Sequence, residues 1–162
     1  EPVEWLGKTN HSFPLHLISN QPKNKLHSQL DHGQLSRSQK MFGREPINVN
    51  PADAEYRGLK SGDIVRVFNS RGSCYAAVQL DENLRVGVVQ MATGAWYDPE
   101  NPRDLSSPCK NGNPNVLTQD KGTSKLGQGP IAHSCLVQIE LAEITVPEVT
   151  AYNPPEIIRT QT

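Results

Sequence analysis

The stretch Asn50-Pro51-Ala52-Asp53-Ala54-Glu55-Tyr56-Arg57-Gly58-Leu59-Lys60-Ser61-Gly62-Asp63-Ile64-Val65-Arg66-Val67-Phe68-Asn69-Ser70-Arg71-Gly72 decides the fold. Asn50 is a good N-cap, Pro51 suits the first helical position, and Asp53 and Glu55 place acids in the first turn. Gly58 ends this helix after about two turns. Leu59 to Asp63 reads as a tight turn and Ile64 to Asn69 as a strand. Asn69-Ser70-Arg71-Gly72 is a hairpin turn whose partner strand runs from Ser73 to Leu80. A capped helical turn followed by a hairpin feeds strands into a closed sheet.

Four further strands flank this block. Residues 12–19 alternate Phe13, Leu15 and Leu17 with polar positions, a period of two. Ile47 to Asn50 is a short strand. After a turn at Asp81-Glu82-Asn83, the apolar run Val86 to Met91 reads as a strand buried on both faces. Cys135 to Leu141 is the last. Residues 26–41 carry a weak apolar stripe, consistent with a loop holding one helical turn. Gly94 to Leu117 is a long irregular stretch with two aromatics and several prolines, expected to be ordered by a partner surface. A short helix is expected within Leu117–Lys125, with Asp120, Thr123 and Ser124 as capping residues. Residues 1–11 read as an extended lead-in with Trp5 and Leu6 able to dock, residues 12–143 as the domain, and 144–162 as an extended tail.

The chain has 162 residues, enough for one domain with a real core. Thirteen prolines, twelve glycines and 35% hydrophobic residues point to a loop-rich, β-dominated domain. A net charge of −1 gives no basic excess for a general nucleic-acid surface. No apolar run is long enough for a membrane-spanning helix. The start, Glu1-Pro2-Val3-Glu4-Trp5, reads as an interior cut or processed end rather than a signal peptide. Cys74, Cys109 and Cys135 lack zinc or disulfide-framework spacing. Cys74 and Cys135 are expected in the core, and Cys109, between Pro108 and Lys110, as the exposed thiol.

Two polar clusters stand apart from these core patterns. Ile18 to Gly33 packs Asn20, Gln21, Asn24, His27, Ser28, Gln29, Asp31 and His32 just past the first strand, and a second cluster runs from Asn111 to Gln128. Such side chains grip a polar, many-armed ligand, and equally serve as a solvated loop. His27 and His32, five apart, do not have a usual metal-ligand spacing. His32, like His11, His16 and His133, reads equally as a surface residue. Lys23 and Lys25 read as solvated lysines, and Trp96 and Tyr97 as packing residues first. No nucleophile elbow, phosphate-binding loop or zinc-protease motif is present.

Asn20-Gln21-Pro22 with Leu26-His27-Ser28-Gln29-Leu30-Asp31-His32-Gly33, then Gly94-Ala95-Trp96-Tyr97-Asp98-Pro99, then Gly112-Asn113-Pro114-Asn115-Val116-Leu117-Thr118…Leu126-Gly127-Gln128-Gly129, resemble in that order the C-terminal domain of the dimethyl sulfoxide reductase family. The similarity is greatest to the branch of trimethylamine N-oxide and biotin sulfoxide reductases, and it covers about Ser12 to Leu141. It implies a mainly β fold, a six-stranded double-psi β-barrel with short helices and long loops. It also implies a molybdenum bis(molybdopterin guanine dinucleotide) cofactor shared with upstream domains of the same reductase, and a small S-oxide or N-oxide as substrate of the whole enzyme. The chain would cap the pterins and alone catalyse nothing, with the protein ligand to molybdenum lying elsewhere. Asn20, Gln21, His27 and Ser28 would face the pterins from one side and Asn113, Asn115 and Gln128 from the other. Asn113 and Asn115 serve equally well as turn formers around Pro114; Gln128, between two glycines, suits close approach to a ligand. Most relatives with the Asn-Gln-Pro…Leu-His-Ser-Gln pattern work in the periplasm, with the cytoplasm as alternative. A non-enzymatic double-psi interaction module is the competing reading, and it predicts an exposed apolar patch.

Overall fold

The computed structural model describes residues 12–142, 145–155, 157 and 158. Six strands, β1 (Leu15–Ile18), β2 (Pro46–Val49), β3 (Ile64–Phe68), β4 (Ser73–Leu80), β5 (Val88–Gln90) and β6 (Ser134–Leu141), close into a barrel in the order β1-β5-β2-β4-β3-β6. β1 runs parallel to β5 and β2 to β4, and the remaining pairs are antiparallel. Exchanging β1, β2 and β3 with β4, β5 and β6 leaves both order and directions unchanged. The ring therefore has a twofold symmetry of connection.

The interior is filled by every second strand residue: Leu15 and Leu17, Ile47 and Val49, Val65 and Val67, Cys74, Ala76 and Val78, Val89, then Cys135, Val137 and Ile139. This follows from the pleat, which sends alternate side chains to opposite faces. Each buried Val, Leu or Ile contributes roughly 1.5–3 kcal/mol, and closure leaves no unpaired edge.

Helix α1 covers Gln34–Ser38 and α2 Pro51–Tyr56. Asn50 caps α2 as its sequence predicts, its Oδ1 accepting from Ala52 N at 2.9 Å, while Nδ2 donates to the Leu84 carbonyl at 2.7 Å. Gly58, at φ 65°, closes the helix: Gly58 N donates to Glu55 O and Leu59 N to Ala54 O. Leu59 and Ala54 are both in the core. The hairpin turn forms too, with Asn69 N donating to Gly72 O at 3.1 Å and Asn69 Oδ1 accepting from Arg71 N at 2.9 Å.

Several expectations are corrected. The run Val86–Met91 yields only the three-residue β5, with Val86 exposed. The strand buried on both faces is β4, from Ser73 to Val78. Chain from the long stretch pairs beside its first residues: Cys109 O accepts from Tyr75 N at 2.9 Å and Cys109 N donates to Ser73 O at 3.0 Å. Cys109 therefore extends the sheet beside β4 and is fully buried, not the exposed thiol. The same bonds show that the long stretch is ordered by this chain's own body. The 117–125 helix does not form; a 3-10 turn at Pro114–Val116 precedes it, and Ser124 Oγ instead accepts from Gly127 N at 2.8 Å. Trp5, Leu6 and the lead-in lie outside the described residues.

Register decides which connections share an end of the barrel. Ile18 lies opposite Gln90 and Ser134, Asn48 opposite Gln90, Pro46 opposite Ala77, and Phe68 opposite Ser73 and Gln138. The exits of β1, β3 and β5 and the entries of β2, β4 and β6 thus gather at one end, crossed by residues 19–45, 69–72 and 91–133. The α2 connection, 50–63, and the turn 81–87 cross the other.

Asn50→Ala removes the cap and the tie to Leu84 together. It is expected to lower stability by about 2 kcal/mol, read as a lower urea midpoint with an unchanged m-value.

Candidate functional site

The loop end is built over a buried ionic cluster that sequence reasoning missed. Asp31 is fully buried. Its Oδ1 accepts from Lys25 Nζ at 2.8 Å and lies 3.1 Å from Lys40 Nζ. Its Oδ2 accepts from Trp96 N at 2.9 Å, Tyr152 OH at 2.7 Å and Asn111 Nδ2 at 3.3 Å. Glu45 Oε2 accepts from both lysines, at 2.9 and 2.8 Å. Two cations thus face two anions with little water, an arrangement that survives burial only because its lone pairs and protons are nearly all used. Burial alone would raise the Asp31 pKa. The bonds from Lys25, Trp96 N and Tyr152, with the charge of Lys40, outweigh it and hold the carboxyl well below the usual carboxylate range. Burial, and then the bond to Asp31, push the Tyr152 phenol well above its ordinary value.

Lys25 is therefore a buried structural cation, not a solvated one, whereas Lys23 is exposed. No local pattern marks Lys25, Asp31, Lys40 or Glu45, because they meet across a long connection and are closed over by Trp96, Asn111 and Tyr152 from two other segments. Tyr152 arrives from the tail. That tail is strapped down: Asp98 Oδ2 accepts from Thr150 N at 2.6 Å and Ala151 N at 3.0 Å, and Oδ1 from Thr150 Oγ1 at 2.8 Å. Trp96 bolts the first polar loop to the strap, with Nε1 donating to Ser28 O at 2.7 Å and its ring 5.3 Å from His32 and 5.7 Å from Tyr152. Its packing role is confirmed; Tyr97 is half-exposed.

The seven expected ligand residues all lie on connections at this one end. Gln21 joins the first four: its Nε2 donates to Lys25 O at 2.7 Å and its Oε1 accepts from His27 N at 3.3 Å. Asn20 follows β1, and its carbonyl accepts from Thr93 N at 2.9 Å. His27, at φ 50°, and Ser28 are exposed. The His27 carbonyl packs so closely on Gly94 that a Cβ there would overlap it. Asn113 is buried and caps the 3-10 turn, Oδ1 accepting from Asn115 N at 2.9 Å. Asn115 is exposed, and Gln128, at φ 47°, donates from Nε2 to Lys125 O at 3.3 Å. Among the described residues, no hydrogen bond joins the first four to the other three. Gln21 and Asn113 are spent on loop geometry. In contrast, Ser19 Oγ, Asn20 Oδ1 and Asn24 Oδ1 are buried acceptors with no donor.

The topology and the gathered loops define the class: a mainly β domain, a double-psi β-barrel carrying a polar loop face. Acetylene hydratase from Pelobacter acetylenicus has the same fold over 88% of this chain and 20% of its own, with a TM-score of 0.65 at 16% identity. The sequence profile described as the molydopterin dinucleotide binding domain matches residues 15–136, and the chain belongs to that family. It is 44% identical over 157 residues to a trimethylamine-N-oxide reductase of Haemophilus influenzae, covering 96% of this chain and 19% of that protein. It is 47% identical over 140 residues to a biotin sulfoxide reductase of Cereibacter sphaeroides, covering 86% of this chain and 18% of that protein. The chain thus spans about a fifth of the length of these relatives. No helix among the described residues is long and apolar enough to cross a membrane.

Asp31→Asn is expected to destabilise the domain by about 3–5 kcal/mol at neutral pH, since it leaves two buried lysines to share the one carboxylate of Glu45. The folded carboxyl titrates below its unfolded value of about 3.9. Its stabilisation is present above that value and is lost as pH falls through the folded one. The wild-type chain should lose stability on that acid limb, and the variant's limb should be flatter, measured by urea denaturation at several pH values.

Proposed function

We propose that this domain caps the pterins of a molybdenum bis(molybdopterin guanine dinucleotide) cofactor within a reductase of S-oxides or N-oxides. Asn20, His27, Ser28 and Asn115 meet the ligand, while Gln21, Asn113 and Gln128 hold the loops that present them. The observation that carries the reading is the set of unpaired acceptors, Ser19 Oγ, Asn20 Oδ1 and Asn24 Oδ1, beside the exposed His27 and Ser28. Pterin and guanine edges carry amino and ring N–H donors, and a buried acceptor left without one costs about 1–3 kcal/mol. The donor set also fits chemically, because amides, hydroxyls and imidazole match a heterocyclic edge without burying net charge. When bound, the cofactor supplies the two-electron oxygen-atom acceptor. This chain's residues bind and orient its pterin ends and exclude water from them, and alone they reduce nothing.

The remaining domains of such a reductase would complete the site. Exposed Leu26, Leu30 and Leu35 on the first polar loop and helix α1, and Leu105 and Leu126 on the second long connection, suit contacts with them. A periplasmic setting follows from the resemblance, with the cytoplasm as alternative. The same leucines favour the second reading, a non-enzymatic interaction module; the unpaired polar acceptors weigh against it.

Titrating the 162-residue chain with guanosine monophosphate, a fragment of the dinucleotide, distinguishes the two. The expected result is amide shifts in 19–28 and 113–117 with 50–63 unmoved, and binding weakened about five- to tenfold by Asn20→Ala or His27→Ala. Shifts confined to the α2 end, or equal binding by both variants, would sink the assignment.

A further inference from the structure

The strap borders two cavities, both lined by Gly43 and Val149. In the first, about 530 Å³, the cations are already committed: Lys40 to Asp31 and Glu45, and Arg37 over the Tyr152 ring at 5.4 Å. The second, about 670 Å³, is lined by Phe42, Arg44, Ile64, Leu141, Val146 and Val149, with Glu148 also on its wall. Its volume lies in the range of small-molecule sites.

Arg44 sets this second cavity apart. The residue is 4% exposed, and Nη2 donates to the Pro147 carbonyl at 3.1 Å. Nε and Nη1, buried likewise, have no acceptor among the described residues. A guanidinium cannot shed its charge to escape burial as a lysine can, so the site holds a positive group short of an anion. Asp98, whose charge also acts on Arg44, is engaged by Thr150, Ala151 and Lys110. The tight turn at Met41–Arg44, with Phe42 at φ 51° and Gly43 at φ 78°, holds the Phe42 ring exposed beside the charge.

We propose that this cavity is a binding site for a small aliphatic monocarboxylate. Its carboxylate accepts from the unpaired N–H groups of Arg44, and its tail lies against Phe42, Ile64 and Val146. A carboxylate is the planar anion that guanidinium recognises best in a desolvated setting. Glu148 on the wall opposes each added negative charge, which selects a monoanion over a phosphate. The apolar walls select an alkyl tail over a sugar or a peptide amide.

The test is titration of the 162-residue chain, followed by amide and arginine side-chain resonances, with hexanoate and with its neutral isostere hexanamide. Hexanoate should saturate, shifting Phe42, Arg44 and Val146, and bind about tenfold or more tighter than hexanamide. Val146→Trp, which fills the apolar wall without touching the guanidinium, should abolish binding, and Arg44→Lys should weaken it by about tenfold. Equal affinity for hexanamide, no saturation, or unchanged binding by folded Val146→Trp would each overturn the proposal. The isostere comparison needs no variant, so it decides the matter even if substitutions at Arg44 unfold the chain.

Discussion

Two lysines and two carboxylates, buried together beneath the loop end, hold the irregular half of this domain. Asp31 is the centre: it receives Lys25 from its own loop, the Trp96 amide and Asn111 from the long connection, and Tyr152 from the tail. Loops without secondary structure cannot satisfy their polar groups by ladders, so a fixed shape needs another source of bonds. Here one carboxylate ties three segments into one body. The same burial that makes the cluster costly disfavours other arrangements, because any donor or acceptor left unpaired there is penalised.

The barrel supplies what the cluster lacks, a rigid frame. Twofold symmetry of connection places three strand exits and three entries at the same end, so both long polar connections cross it. The long connection pairs with the start of β4, laying Cys109 beside Ser73 and Tyr75. The loops that carry the candidate ligand residues are therefore also part of the wall. Gln21 and Asn113 serve the fold, their side chains taken up by the turns they stabilise.

Much of the frame was legible locally. Asn50, Pro51 and Gly58 bounded their helix, and Asn69 to Gly72 turned the hairpin, because capping and turn chemistry act within a few residues. The misreadings share one cause. Val86–Met91 is as apolar as a doubly buried strand, yet only its middle enters the barrel. Lys25 and Cys109 sit among polar and loop residues, yet both are buried. Burial at these positions is decided by chain arriving from elsewhere, which no local pattern records.

The identity of the family was carried by the order of short motifs along the chain, since each motif encodes its own turn or strand. The closing of the ring, the one end to which both polar clusters belong, the Asp31 cluster and the unpaired Arg44 guanidinium were decided only in three dimensions. Strand pairing here joins residues as far apart as Leu15 and Val137, and hydrogen bonding residues 121 positions apart, as Asp31 and Tyr152 are. Such contacts depend on register and on what else competes for the same acceptor, and both are properties of the assembled domain.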